Sequence, residues 1–131
     1  MTPEQHILES CHTIAVVGLS SNPLRPSYEI AQFMQRHGYR IIPVNPQEVE
    51  VLGEKCYVRL EDIPVKVDCV DVFRRPEFVP EIVDSAIAIG AKAIWLQLGV
   101  VDTEAIARAE AAGLLTVQDR CLLIEYRRYF R

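Results

Sequence analysis

Residues Thr13 to His37 read TIAVVGLSSNPLRPSYEIAQFMQRH: a strand, a polar turn and an amphipathic helix in succession. Thr13-Ile14-Ala15-Val16-Val17 is a short, β-branched apolar run, the pattern of a strand covered on both faces in a parallel sheet. Gly18 closes it, and a residue without Cβ permits a sharp turn or the close approach of a ligand. Leu19 to Pro26 is rich in Ser, Asn, Pro and Arg. From Ser27 the period turns helical, with Ile30, Phe33, Met34 and His37 at i, i+3, i+4 and i+7. Ser27 is read as the N-cap, Glu29 suits the positive helix start, and Gly38 stops the helix. A first strand that passes through a polar loop into a helix is where an α/β domain holds a phosphate. Loop amides and the helix N-terminus converge there on the anion.

Outward from this unit the alternation continues. Pro3 to Cys11 reads as a lead-in helix with Ile7 and Leu8 turned inward. Arg40 to Val44 is a second strand ending at Asn45-Pro46, and its Pro43 requires either an edge position or a bulge. Gln47 to Ile63 is irregular, with one helical turn at Leu60 to Ile63. Val67 to Phe73 is a third strand whose Asp68 and Asp71 break the apolar pattern and point to one less buried end. Pro76 and Glu77 open a helix carrying Val79, Ile82, Val83, Ala86 and Ile87 on one stripe, stopped at Gly90. Ala93 to Leu98 is a fourth strand closed by Gly99, Asp102 caps a helix that ends at Gly113, and Leu114 to Val117 is a fifth strand. Cys121 to Arg131 is a last helix with Leu122, Leu123 and Tyr126 inward and Arg127, Arg128 and Arg131 outward. The expectation is one Rossmann-like, three-layer α/β domain over residues 1–131. Its five-stranded parallel sheet would run 3-2-1-4-5, with helices on both faces.

The bulk composition narrows the function. With 14 basic against 18 acidic residues the net charge is −4, which argues against general nucleic-acid binding. A chain 50% hydrophobic and 24% charged is globular rather than disordered. No apolar run approaches the roughly 20 residues of a membrane span, and no signal-peptide pattern opens the chain. Cys11, Cys56, Cys69 and Cys121 make no C-x-x-C and no ligand spacing with His6, His12 or His37. Reduced thiols in a cytoplasmic protein without a metal are expected.

In such sheets ligands bind beyond the carboxyl ends of the strands. The residues to read are therefore Gly18, Leu19, Ser20, Ser21, Asn22 and Arg25 after strand one, and Asn45 and Pro46 after strand two. Phe73, Arg74 and Arg75 follow strand three; Gln97, Leu98 and Gly99 follow strand four. Three arginines on one edge of an acidic chain suit phosphate oxygens. A dinucleotide fits less well. There is no G-x-G-x-x-G, and strand two ends in Asn45-Pro46 rather than an acidic residue, with Glu48 lying past a proline.

Six segments together resemble the small free-standing CoA-binding proteins, whose fold is shared with the N-terminal domain of the succinyl-CoA synthetase α subunit. They are Ala15-Val16-Val17-Gly18-Leu19-Ser20, Arg25-Pro26-Ser27-Tyr28, Ile42-Pro43-Val44-Asn45-Pro46, Val72-Phe73-Arg74-Arg75-Pro76-Glu77, Trp95-Leu96-Gln97-Leu98-Gly99-Val100 and Asp119-Arg120-Cys121. The resemblance implies coenzyme A across the switch point of the sheet. Gly18 to Ser27 would wrap the phosphate end, with Ser20 and Arg25 as contacts and Ser27-Tyr28 in the same set. Val44, Asn45 and Pro46 would line the nucleotide side. Phe73, Arg74 and Arg75 would flank the diphosphate or the 3′-phosphate, and Gln97 and Gly99 would lie nearer the pantetheine arm.

The synthetases related by fold use a phosphorylated His in a separate second domain, which this chain is too short to hold. No Ser-His-Asp or Cys-His arrangement follows from spacing, and His37 sits at the far end of its helix. Trp95 and Tyr28 read as packing or as a stacking surface. The expected function is non-catalytic binding of CoA or an acyl-CoA. The alternatives are a small NAD(P)-binding oxidoreductase-like or regulatory protein, and an interaction protein with a vestigial pocket and a docking tail at Tyr126–Arg131. A protein partner or a homo-oligomer stays open. Cys121, beside Arg120, is either a buried inert thiol or a partner for a mixed disulfide with CoA.

Overall fold

The computed structural model describes residues 1–130; the outward side chain expected at Arg131 lies outside the described residues. In chain order the elements are α1 (Pro3–Ser10), β1 (Thr13–Val17), α2 (Pro26–Arg36), β2 (Arg40–Val44), β3 (Glu50–Val51) and β4 (Glu54–Lys55). A 3-10 turn at Leu60–Asp62 leads to β5 (Cys69–Val72), and a second at Pro76–Phe78 runs into α3 (Val79–Ala88). β6 (Ala93–Leu96), α4 (Thr103–Ala111), β7 (Leu115–Val117) and α5 (Leu122–Tyr129) complete the chain.

Strand alternation sorts the apolar residues into two cores. From β1, Ile14 and Val16 face α1, α2 and α5, where they meet Ile7, Ala31, Met34, Trp95 and Leu122. Ala15 and Val17 face α3 and α4, where they meet Val79, Val83, Leu96 and Ile106. The result is the expected three-layer, Rossmann-like α/β domain. Asp102 caps α4 as read, its carboxylate accepting the Ala105 N–H at 3.0 Å. Ser27 does not cap α2. The helix begins one residue earlier, at Pro26, whose fixed φ suits the first helical position, and Arg25 is the capping residue.

The strand order also differs from expectation. The sheet runs β2-β1-β5-β6-β7, all parallel, so its five long strands lie 2-1-3-4-5 rather than 3-2-1-4-5. Pro43 supplies the reason. Its carbonyl accepts the Tyr57 N–H at 3.0 Å on the outer side of β2. Its ring nitrogen faces the same side with no proton to give, so a full strand could not dock there. Instead Tyr57 forms an isolated parallel bridge to Val44 at that edge, and the third long strand crosses back to pair with β1. The switch point consequently falls between β1 and β5, and the loops after those two strands frame the site.

Candidate functional site

The β1–α2 loop and the turn after β5 touch. Gly18 adopts φ +89°, and a Cβ there would lie 2.4 Å from the Phe73 carbonyl oxygen. The loop is then tied by its own polar residues. Ser27, buried in the first turn of α2, accepts the Ser20 N–H at 3.1 Å. Ser20 Oγ accepts the Asn22 N–H at 3.0 Å, Asn22 Oδ1 accepts Leu24 N–H at 3.0 Å, and the Asn22 carbonyl accepts Arg25 N–H at 3.0 Å. Gly18 N–H is spent on the Val44 carbonyl at 2.8 Å. The Gly18, Ser20, Asn22, Leu24 and Arg25 amides are therefore engaged, while those of Leu19 and Ser27 have no partner among the described residues. From the β2 side Asn45 Nδ2 clamps the loop through the Leu19 carbonyl at 3.1 Å.

These segments enclose an open polar pocket of about 510 Å³ at the carboxyl ends of β1, β2 and β5. Gly18, Ser20, Arg25 and Ser27 line it from the first loop, Asn45 and Pro46 from the second, and Phe73 and Arg74 from the third. Pro26, inside the Gly18–Ser27 loop, also lines it, as do Gln47 and Glu48, which the sequence pattern does not assign to the site. In the sequence a proline separates Glu48 from β2. The structure turns it back, and its Oε2 accepts the Ser21 N–H at 2.7 Å, which holds its carboxyl below the ordinary glutamate range.

The adjacent arginines differ in kind. Arg74 lies over the Phe78 ring at 4.1 Å and in the pocket wall, without a carboxylate partner among the described residues. Arg75 is 81% exposed, pairs with Glu77 at 3.6 Å and does not line the pocket. Arg25, like Arg74, has no carboxylate partner among the described residues. Two unneutralised guanidinium groups thus face one cavity.

A second, apolar pocket of about 370 Å³ shares Pro26 and Phe73 with the first. Ile30, Leu98, Val100, Gln97 and Cys121 complete its wall. Behind it lies a polar pair that the sequence pattern does not reveal. Gln97, 3% exposed, donates Nε2–H to Asp71 Oδ1 at 2.6 Å. Asp71 is 0% exposed, paired in register between Val16 of β1 and Trp95 of β6. Burial pushes its carboxyl up to about 8, against the lowering effect of the Gln97 bond. Asp71 Oδ2 and Gln97 Oε1 have no partner among the described residues. The less buried acid of this stretch is Asp68, whose Oδ2 accepts the His12 and Thr13 N–H groups at 2.9 and 3.0 Å. The break at Asp71 marks a buried carboxyl rather than an exposed end.

The remaining sequence candidates surround the pockets without lining the polar one. Leu19 and Val44 are buried in the two cores, and Tyr28 packs half-buried against the α2 side. Ser21 and Asn22 are exposed parts of the tied loop. Gly99 N–H donates to Asp119 Oδ1 at 2.8 Å, closing the turn after β6. Trp95 is packing: it is fully buried, and its Nε1–H donates to the Arg120 carbonyl at 2.9 Å. His37 stacks on Phe33 at 4.1 Å, at the far end of α2 as expected. No cluster of three metal-ligating residues and no helix long and apolar enough to cross a membrane occur among the described residues.

A 2-1-3-4-5 parallel sheet with an arginine-flanked cavity at its switch point defines a Rossmann-like domain built around a carboxyl-edge site. Within that class the chain belongs to the CoA binding domain family, whose model matches residues 12–127. It is 38% identical over 122 residues to the uncharacterized protein YneT of Bacillus subtilis, covering 93% of this chain and 90% of that one. It is 32% identical over 82 residues to the ADP-forming acetate–CoA ligase II of Archaeoglobus fulgidus; the match covers 61% of this chain but 12% of the ligase. Among solved structures, a hypothetical protein from Pyrococcus horikoshii superposes with a TM-score of 0.95 at 39% identity, covering 100% of this chain and 94% of that one.

Proposed function

We propose that residues 1–131 act as one cytoplasmic coenzyme-binding unit that holds CoA or an acyl-CoA at the carboxyl edge of the sheet without transforming it. The observation that carries this reading is the pair of adjoining cavities, which share Pro26 and Phe73 in their walls. One is polar and flanked by the unpaired Arg25 and Arg74; the other is apolar and reached past Pro26 and Phe73. A ligand with a charged diphosphate at one end and a long, weakly polar arm at the other matches that sequence of surfaces. Guanidinium groups meet the phosphates in bidentate bonds. Ile30, Leu98 and Val100 cover the arm, and the membership of residues 12–127 in a CoA binding domain family supports the same ligand. Among the described residues no histidine lines either pocket, which favours binding over catalysis by a Ser-His or Cys-His pair.

Calorimetric titration of ligand-stripped protein with CoA, acetyl-CoA, ADP and NAD tests the reading. CoA and acetyl-CoA should bind, ADP more weakly because it lacks the arm, and NAD not measurably. Binding of NAD alone would replace the proposal with the oxidoreductase-like alternative. Silence toward all four ligands would leave an interaction protein.

A further inference from the structure

Among the described residues, Glu48 is the one acidic side chain lining the polar pocket, and its carboxylate is already engaged there. The loop amides of Gly18, Ser20, Asn22, Leu24 and Arg25 are each satisfied by Val44 or by the loop and helix start themselves. The Ser21 amide, by contrast, is held by a side chain from the β2 side, the Glu48 carboxylate at 2.7 Å. The amides of Leu19 and Ser27 have no partner among the described residues, whereas the Ser21 amide is already taken by an anion. A ligand phosphate directed there must displace Glu48 and tolerate a carboxylate beside it. A hydroxyl faces no such conflict. It can donate to the carboxylate while the Ser21 bond stays in place, as acidic residues beyond the second strand hold ribose hydroxyls in related sheets.

We propose that Glu48 is a specificity-determining residue that reserves its corner of the pocket for a neutral ribose diol and works against a phosphate there. The diphosphate of the same ligand falls to Arg25 and Arg74. This rests on the coenzyme reading above and sharpens it. Among CoA-type ligands, the form lacking the 3′-phosphate is bound at least as tightly as CoA itself.

The test titrates the wild type and Glu48→Gln with CoA and with 3′-dephospho-CoA, thermal melting serving as the folding control. Glutamine keeps one oxygen to accept the Ser21 N–H, removes the charge and turns the second oxygen into an NH2 donor. The wild type should bind dephospho-CoA as tightly as CoA or more so. Glu48→Gln should tighten CoA by roughly tenfold while moving dephospho-CoA by less than about threefold. Glu48→Ala should give the same change in the ratio, which separates charge from the amide contact. A wild type that favours CoA tenfold, or a ratio the same in all three proteins, would overturn the assignment and leave coenzyme binding intact. Failure of every protein to bind either ligand would bring down the coenzyme reading and this proposal with it.

Discussion

The Cα of Gly18 lies so close to the Phe73 carbonyl that a Cβ on it would come within 2.4 Å of that oxygen. The contact joins the loops on either side of the switch point, and Gly18 also holds φ +89°. Two penalties therefore act together on any side chain: a left-handed backbone and a clash with main chain that cannot rotate away. Gly18→Ala should cost at least about 2 kcal/mol of stability and part the two loops. Gly99 is the control. It has φ +83° but open space within 4 Å of where a Cβ would sit, so Gly99→Ala should cost only about 1 kcal/mol, the backbone penalty alone. Denaturant unfolding of both variants checks this, and equal losses would refute the role given to the Phe73 contact.

Asp71 makes stability depend on pH in an unusual direction. Its carboxyl is raised to about 8 in the fold, against the ordinary value near 4 in the unfolded chain. Between those values the folded state binds the extra proton, so stability is full below about pH 4 and falls as pH rises toward 8. The slope from this one group approaches about 1.4 kcal/mol per pH unit in the middle of that window. Asp71→Asn removes the titrating group and keeps an oxygen for Gln97. It should flatten the slope and be more stable than the wild type at pH 8. Melting curves from pH 5 to 8 decide the matter: parallel profiles for the two proteins would mean that Asp71 does not carry the linkage.

The layers of this fold are readable in the sequence because each long strand is a β-branched or apolar run bounded by turn residues, as in Thr13–Val17 followed by Gly18. Strand order is not. The direction in which the chain leaves β2 depends on a proline with no proton to donate and on Tyr57, which lies well beyond it in an irregular stretch. Of the residues immediately after the strands, Gly18, Ser20, Asn45, Pro46, Phe73 and Arg74 line the polar pocket, while Leu19, Ser21, Asn22 and Arg75 do not. Side chains that arrive by a loop's return, Glu48 above all, escape the pattern, because the turn at Asn45–Gln47 that redirects them is held by an Asn45 side-chain bond of 2.9 Å. Asp71 eludes the pattern for another reason. Its burial comes from β1 and β6 on either side, and local alternation carries no record of such neighbours.

Arg74 and Arg75 look alike in the sequence and diverge in the fold, since only Arg74 lines the pocket while Arg75 turns toward Glu77. Charge-assisted bonds to phosphate contribute about 1.5–3 kcal/mol. Arg74→Ala should therefore weaken CoA binding by roughly ten- to a hundredfold. Arg75→Ala, which loses only an exposed ion pair, should change it by less than about threefold. Calorimetry on the two single variants measures both, and a larger loss for Arg75→Ala would require the phosphates to lie outside the polar pocket.

The four cysteines offer a final, chemical check on which cavity the ligand arm enters. Burial pushes the Cys69 thiol well up and raises those of Cys11 and Cys56, so few thiolates form at these three positions. Cys121 is the cysteine that lines the apolar pocket, at the start of α5 and across from Ile30 and Leu98. In the folded protein a small alkylating reagent should reach Cys121 first, though more slowly than in denaturant, because the residue is itself buried. Bound CoA, its arm lying along the same wall, should slow that modification severalfold. It should leave the rates at Cys11 and Cys69 unchanged. Peptide mass spectrometry over a time course reads all four sites at once. Modification of Cys56 ahead of Cys121, or a Cys121 rate indifferent to saturating CoA, would show that the pantetheine arm does not occupy the apolar pocket.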